Sequence, residues 1–338
     1  MKTSSAPILI IHQGALGDLM LSLPALYSLR RHERKIPWTM AGNPEVLSLL
    51  QDRFDVGEIL SLQGREWAAL YQEHPLFPGP FRDFLNTFQK VILFSADNKD
   101  RLFLGLRRAG VKDILRIPSF PDVQDKIPLP IRQQVILESM GIPWAKGKVY
   151  LSPAPEDLTA ATALLQSFQE PNSSSLFLAV HPGSGSVFKN WPWERFLETA
   201  KRLRDRLSLC PLFLFGPVEE DRSTFPFQPL QEAGFPLIRN LALPELAALL
   251  SCCRGYIGND SGISHLAAAL GLPLVAVFGP TDPLLWGPRG EKVTVLSPTL
   301  PCSPCSREKM TSCPQRKCLE SIPVSRVVET VENLLTIS

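Results

Sequence analysis

Hydrophobic runs recur along the chain at short intervals, separated by glycine, proline and polar residues. Ile8-Leu-Ile-Ile11 is an uninterrupted apolar run, which suits a strand buried on both faces, and the glycine-bearing turn Gly14-Ala-Leu-Gly17-Asp18 follows it. The period then changes. Leu19, Leu23, Leu26 and Leu29 share nearly one face of a helix that ends in the basic cluster Arg30-Arg31-His32. Pro24 admits two readings, a kink inside that helix or a regular part starting near Ser22 with proline in its first turn. Further strands are predicted at residues 38–41, 56–61 and 91–95, with helical stretches between them. Residues 76–80 read as loop, 118–130 as irregular and 131–140 as helix.

The second half restarts the alternation. Residues 176–180 read as strand, 181–190 as loop and 193–207 as helix. Strands at 212–215, 256–258 and 274–278 follow, with helices at 244–252 and 261–270. A cysteine-bearing loop begins after Leu300, and residues 322–337 close the chain as an amphipathic helix. Such alternation implies α/β architecture, with parallel sheets covered by helices on both faces. Polar, proline- and serine-rich connections at 152–155 and 170–175 mark a hinge. The expectation is two Rossmann-like domains whose intervening cleft is the site. No fixed-period repeat of a solenoid or propeller is present.

Composition narrows the function classes. A chain of 338 residues is long enough for two hydrophobic cores. Its 35 Lys and Arg against 33 Asp and Glu leave a net charge of +2, without the basic excess of a phosphate-neutralising nucleic-acid binder. No nucleic-acid partner is therefore expected. With 44% apolar and 20% charged residues the chain is not disordered. Proline, at 32 residues, is about twice its usual share and predicts many rigid turns. The longest apolar candidate, 266–278, is shorter than a bilayer span and is interrupted by Gly271 and Pro273. Residues 8–11 are too few for a signal-peptide core, and an odd count of seven cysteines fits a reducing compartment. A cytoplasmic location is expected.

Several strand-to-helix turns carry candidate chemistry. Gly14-x-x-Gly17-Asp18 is not the G-x-G-x-x-G fingerprint, but it lies beyond the carboxyl end of a leading strand, where open sheets bind ligands. Asp18 there is either a carboxylate able to accept a proton or a first-turn acid that stabilises the helix dipole. His181-Pro-Gly-Ser-Gly-Ser186 through Lys189-Asn-Trp191 places amides, hydroxyls and an ammonium at one helix mouth, which suits a diphosphate. It is not a Walker A loop. Asn259-Asp260-Ser261-Gly262-x-x-His265 supplies a helix cap and further amides, and Gly279-Pro-Thr-Asp-Pro283 is a tight turn at the same sheet edge. Together, Lys189, Asp260 to His265 and Thr281 read as a nucleotide-diphosphate site. Cys302-x2-Cys305-x7-Cys313-x4-Cys318 has the look of a zinc site, although the interval between pairs is short for a zinc ribbon. Spacing alone sets reduced surface thiols ahead of a structural metal. Neither leading strand is followed by G-x-G-x-x-G, which disfavours a nicotinamide dehydrogenase.

In their order and separation these segments resemble glycosyltransferase family 9, the lipopolysaccharide heptosyltransferases. The resemblance rests on Ile10-Ile-x-x-Gly-Ala-Leu-Gly-Asp18 through Pro24-Ala25, His181-Pro-Gly with Lys189-x-Trp191-Pro, Asp260-Ser-Gly-x-Ser-His265 and Gly279-Pro-Thr-Asp-Pro283. It implies the GT-B architecture. The N-terminal domain (1–172) would bind the acceptor and the second domain (173–321) the nucleotide sugar, with the final helix (322–338) crossing back onto the first. The implied reaction is inverting and metal-independent, needing no cofactor. It would move heptose from ADP-heptose to a Kdo or heptose acceptor of the lipopolysaccharide inner core. Asp18 would be the general base, with Gly14 and Gly17 on the acceptor side. Ser184, Gly185, Lys189, Asp260, Ser261, Gly262 and His265 would contact the donor. An acid after Phe215-Gly216 is expected near the ribose; Glu219 and Glu220 both qualify, and Glu220 is favoured. His12-Gln13 departs from the basic residue common at this place. Any membrane contact would be peripheral, at the cytoplasmic face of the inner membrane, through Arg101, Arg107, Arg108, Lys112 and Arg116. The alternatives are a transferase or epimerase using another nucleotide sugar or acceptor, and a GT-B binding protein without turnover.

Overall fold

The computed structural model describes residues 6–73, 77–96, 100–124, 126–147, 149–168, 176–221 and 227–336. The expected hinge at 170–175 lies outside them. Two compact units divide between Leu151 and Ser152.

The first unit holds a five-stranded parallel sheet of order β3-β2-β1-β4-β5. Its strands are β1 (Ile8–His12), β2 (Trp38–Gly42), β3 (Val56–Ser61), β4 (Lys90–Ser95) and β5 (Ile114–Pro118). The second unit holds six parallel strands of order β11-β10-β9-β6-β7-β8. These are β6 (Leu176–His181), β7 (Leu209–Phe215), β8 (Leu237–Arg239), β9 (Gly255–Asn259), β10 (Leu274–Val277) and β11 (Val293–Leu296). Both orders are those of the dinucleotide-binding fold, in which the chain reverses direction across the sheet beside the leading strand. The reversal falls between β1 and β4 in one unit and between β6 and β9 in the other. At these points the loops leaving two neighbouring strands run to opposite faces and open a crevice.

The apolar runs account for the central strands, because helices on both faces leave no position facing water. All five residues of β1 and all of β9 are buried. The helix Leu16–His32 runs through Pro24 and starts six residues before Ser22. Hydroxyls bond back to earlier carbonyls within it, Ser22 to Asp18 and Ser28 to Pro24, each at 2.8 Å. The sequence reading missed β5, β8 and β11.

Two domain expectations differ from the structure. The helix Pro155–Gln166, expected before the boundary, belongs to the second unit, where it packs against the helix Leu243–Ser251. The closing helix Val324–Thr336, expected to cross back, packs on the helix Trp193–Leu207 and on β10. Val324, Val327, Val328, Val331 and Leu335 form its inward stripe, and this unit's own core consumes that stripe. The indole N–H of Trp191 secures the approach by donating to the Ile322 carbonyl at 3.1 Å. Val327→Ala is therefore expected to lower the second unit's unfolding free energy by about 2 kcal/mol in urea titrations, through lost burial and a residual cavity. An unchanged transition would place this helix outside the core.

Candidate active site

In the first unit Asp18 is the third residue of the Leu16–His32 helix, in the turn leaving β1 at the switch point. Its Oδ2 accepts the Ala15 N–H at 2.9 Å, so Asp18 does sit as an acid in the helix's first turn and closes a capping bond there. The side chain is half-buried. Gly14 faces it closely, since a Cβ there would lie 2.5 Å from that of Asp18 and 2.8 Å from His12 Cε1. Gly17 lies in the same first turn. His12 is fully buried, and its Nδ1 accepts the Gly14 N–H at 3.3 Å. Burial pushes its pKa down to about 4, so the ring is neutral. Gln13 donates to the Tyr71 hydroxyl and accepts from Ser95 Oγ. Neutral groups with local partners thus occupy the place where a basic residue is common.

In the second unit, the loops after β6 and β9 meet at the other switch point. Asn259, completely buried, joins them: its Oδ1 accepts the Trp191 N–H at 2.9 Å and its Nδ2 donates to the Pro182 carbonyl at 2.7 Å. Both ends of the 182–191 loop are thereby fixed. Lys189 closes a short turn of 3-10 helix and pairs with Asp260 at 2.8 Å. The same Asp260 oxygen accepts from Thr281 Oγ1 at 2.5 Å, so the turn after β10 joins the cluster. Ser261 is the N-cap of the helix Gly262–Ala269, with its side chain accepting the Ser264 N–H. Ser184 folds onto its own loop, donating to the Ser186 carbonyl at 2.7 Å, while Gly185 is exposed. His265 sits one turn into the helix. Desolvation lowers its pKa to about 4 against the opposing pull of Asp260. Ser184, Gly185, Lys189, Asp260, Ser261, Gly262 and His265 are therefore gathered in the turns leaving the carboxyl ends of β6 and β9.

Residues 129–314, over half of the chain, match glycosyltransferase family 9 (heptosyltransferase). The chain belongs to this family. It is 23% identical over 318 residues to lipopolysaccharide heptosyltransferase 1 of Pseudomonas aeruginosa, an alignment covering 90% of this chain and 87% of that one. The fold is similar to that of a family 9 glycosyltransferase from Veillonella parvula, with a TM-score of 0.80, 21% identity and coverage of 100% and 99%. It is also similar to the ADP-heptose lipopolysaccharide heptosyltransferase II of E. coli, with a TM-score of 0.69, 18% identity and 98% of both chains covered. The expected α/β GT-B fold and glycosyltransferase class hold.

Within this family 9 enzyme the acid that touches the loop is Glu219. Glu220 is half-buried, bonded to Asn240 and paired with Arg239 at 3.3 Å. Glu219 is 8% exposed and accepts the Gly216 N–H at 2.9 Å. Burial alone would raise its pKa, but His181 and the Gly216 amide outweigh that and hold it below the ordinary value. Its Oε1 fills the space a Cβ on Gly183 would need, 2.0 Å away, so any larger residue there would push the Glu219 carboxylate out of its place. Asn259 and Glu219 are the residues whose roles the sequence reading missed. Asparagine ending a buried strand was the available signal. Among the described residues no helix is long and apolar enough to cross a membrane.

Asn259→Ala strands a buried N–H and a buried carbonyl, so it is expected to cost about 3 kcal/mol of second-unit stability in urea titrations. A loss under about 0.5 kcal/mol would contradict the clamp. A second expectation concerns acid. His12 and His265 bind their protons more weakly when folded than unfolded, so the stability from their neutral rings is complete above pH 6.5. It is lost progressively as the pH falls toward 4, by up to about 3 kcal/mol for each ring. Urea midpoints measured from pH 7 to 5 should fall, and fall less in His12→Phe. Midpoints constant with pH would show that the rings are protonated in place.

Proposed function

We propose that this enzyme transfers heptose from ADP-heptose to the inner core of lipopolysaccharide, with a Kdo or heptose hydroxyl as acceptor and inversion at the anomeric carbon. The observation that carries the reading is the cluster of Lys189, Asp260 and Thr281 beside the amide-rich turns at 182–186 and 261–264. It supplies a fixed cation and N–H donors where a nucleoside diphosphate needs them. The likeness to the E. coli ADP-heptose lipopolysaccharide heptosyltransferase II supports ADP-heptose as donor. On this reading the second unit binds the nucleotide sugar, and the first, carrying Asp18 with Gly14 and Gly17, binds the acceptor.

Asp18 accepts the proton of the attacking hydroxyl as that oxygen bonds to the anomeric carbon. The bond from that carbon to the diphosphate oxygen breaks, and the electron pair leaves with ADP. Lys189 and the amides near Ser184 and Ser261 neutralise the developing charge without having to reorganise. The neutral ring of His265 adds polarity without a competing charge. Glu219 acts through Gly183, setting the loop's path. Holding both substrates in line supplies much of the remaining rate.

The acceptor's lipid would bring the enzyme to the cytoplasmic face of the inner membrane. Exposed Arg101 and Lys112 support a peripheral contact with anionic headgroups. Arg107 and Arg108 are held by the carbonyls of Lys112 and Gln72, and Arg116 by Asp100, so the basic face is partly committed to local structure.

Asp18→Asn retains an acceptor for the Ala15 N–H and is expected to fold and bind ADP normally. Its turnover with ADP-heptose and a delipidated core acceptor, followed by mass spectrometry, should fall at least ~10²-fold. A variant within a few-fold of the parent would remove Asp18 as the base.

A further inference from the structure

The segment after β11 carries four cysteines that the transfer reaction leaves unused, Cys302, Cys305, Cys313 and Cys318, and none is in a disulfide. Three observations bring this segment to one place, the Gly279-Pro280 turn after β10. Ser303 Oγ donates to the Gly279 carbonyl at 2.6 Å, next to Cys302. The Cys305 N–H donates to the Pro280 carbonyl at 2.8 Å. Cys318 Sγ lies 3.3 Å from where a Cβ on Gly279 would sit. Two short helices, Arg307–Ser312 and Lys317–Glu320, fold the intervening chain back so that the sequence-distant Cys318 arrives beside the first pair. Cys313 stands between them as the C-cap of the first helix.

The surroundings of the sulfurs point the same way. Backbone N–H groups of Arg316 and Gln315 are directed at the Cys313 sulfur, and that of Leu319 is directed at the Cys318 sulfur. N–H donors at sulfur stabilise thiolate over thiol. The remaining three cysteines all lie near enough to Cys318 to interact with it electrostatically. Four thiols gathered about one turn, with N–H donors aimed at two of the sulfurs, are a donor set that a divalent cation can hold once the thiols release their protons.

We propose that Cys302, Cys305, Cys313 and Cys318 bind one thiophilic divalent metal ion, zinc(II) or iron(II), as a structural tetrathiolate centre. The centre would tie the 301–320 segment to the turn that carries Thr281. Four S–H protons pass to solvent, four metal–sulfur bonds form and no atom changes oxidation state. Spacing alone reads as reduced thiols, and the convergence on Gly279-Pro280 is what alters the reading. Among the described residues no group of three such side chains already has metal-holding geometry, so the loop must draw in around the ion. Cys302 and Cys313 are exposed, which leaves their side chains room to do so. The proposal does not depend on the sugar transferred.

The test is metal analysis of the full chain, purified under reducing conditions without chelator, or incubated anaerobically with zinc(II) or iron(II) and desalted. One metal ion per chain is expected, and its identity separates the two ions. The metal should fall at least tenfold in the Cys302→Ser/Cys313→Ser double variant and remain in Cys210→Ser. Thiol titration of the native chain should show the four cysteines protected until the metal is removed. Two results would overturn the proposal: no stoichiometric metal with the four thiols freely reactive or oxidised to disulfides, or metal fully retained by the double variant.

Discussion

The second unit's site depends on the buried carboxamide of Asn259. An amide can accept at one end and donate at the other, and here it does both, holding the Trp191 N–H and the Pro182 carbonyl. A carboxylate could not donate, and a hydroxyl could not reach both ends of the loop. With the loop pinned at each end, Lys189 is delivered to Asp260, the residue directly after Asn259, and Thr281 completes the cluster. A satisfied buried polar group of this kind specifies one arrangement, because every alternative leaves an unpaired group away from water.

The two units use the strand-to-helix turn in different ways. In the first, the turn presents an acid held by a backbone N–H of the helix it caps. In the second, it presents amides, a capping hydroxyl and a cation held by an acid. The first arrangement suits proton acceptance and the second suits anion binding, although both grow from the same sheet order. His12 and His265 are neutral for the same reason, burial, and so leave the charge balance of each site to Asp18 and to the Lys189–Asp260 pair.

The elements legible in the sequence are those whose burial leaves an unbroken apolar signal. β1, β4, β6 and β9 flank the switch points and read directly as hydrophobic runs. The missed strands β5, β8 and β11 all lie at sheet edges. There the pattern is diluted by residues such as Arg116, Arg239 and Thr294, as edge strands require. The closing helix was legible as amphipathic, but an apolar stripe does not say which core it enters. At the site, the loops and Lys189, Asp260, Ser261 and His265 follow from strand-to-helix position. Which of Glu219 and Glu220 touches the 182–186 loop does not, because helix phase turns Glu219 toward Gly183. The clamp made by Asn259 likewise exists only once β6 and β9 are neighbours.

The central claim is that the second unit's loops recognise a diphosphate with Lys189 as their fixed cation. The most direct measurement is calorimetric titration of ADP and of AMP onto the parent chain and onto Lys189→Met, at one salt concentration. ADP should bind the parent at least ~tenfold more tightly than AMP, about 1.4 kcal/mol, and Lys189→Met should erase most of that difference. Equal affinity of the parent for the two nucleotides, or an undiminished preference for ADP in Lys189→Met, would contradict the claim.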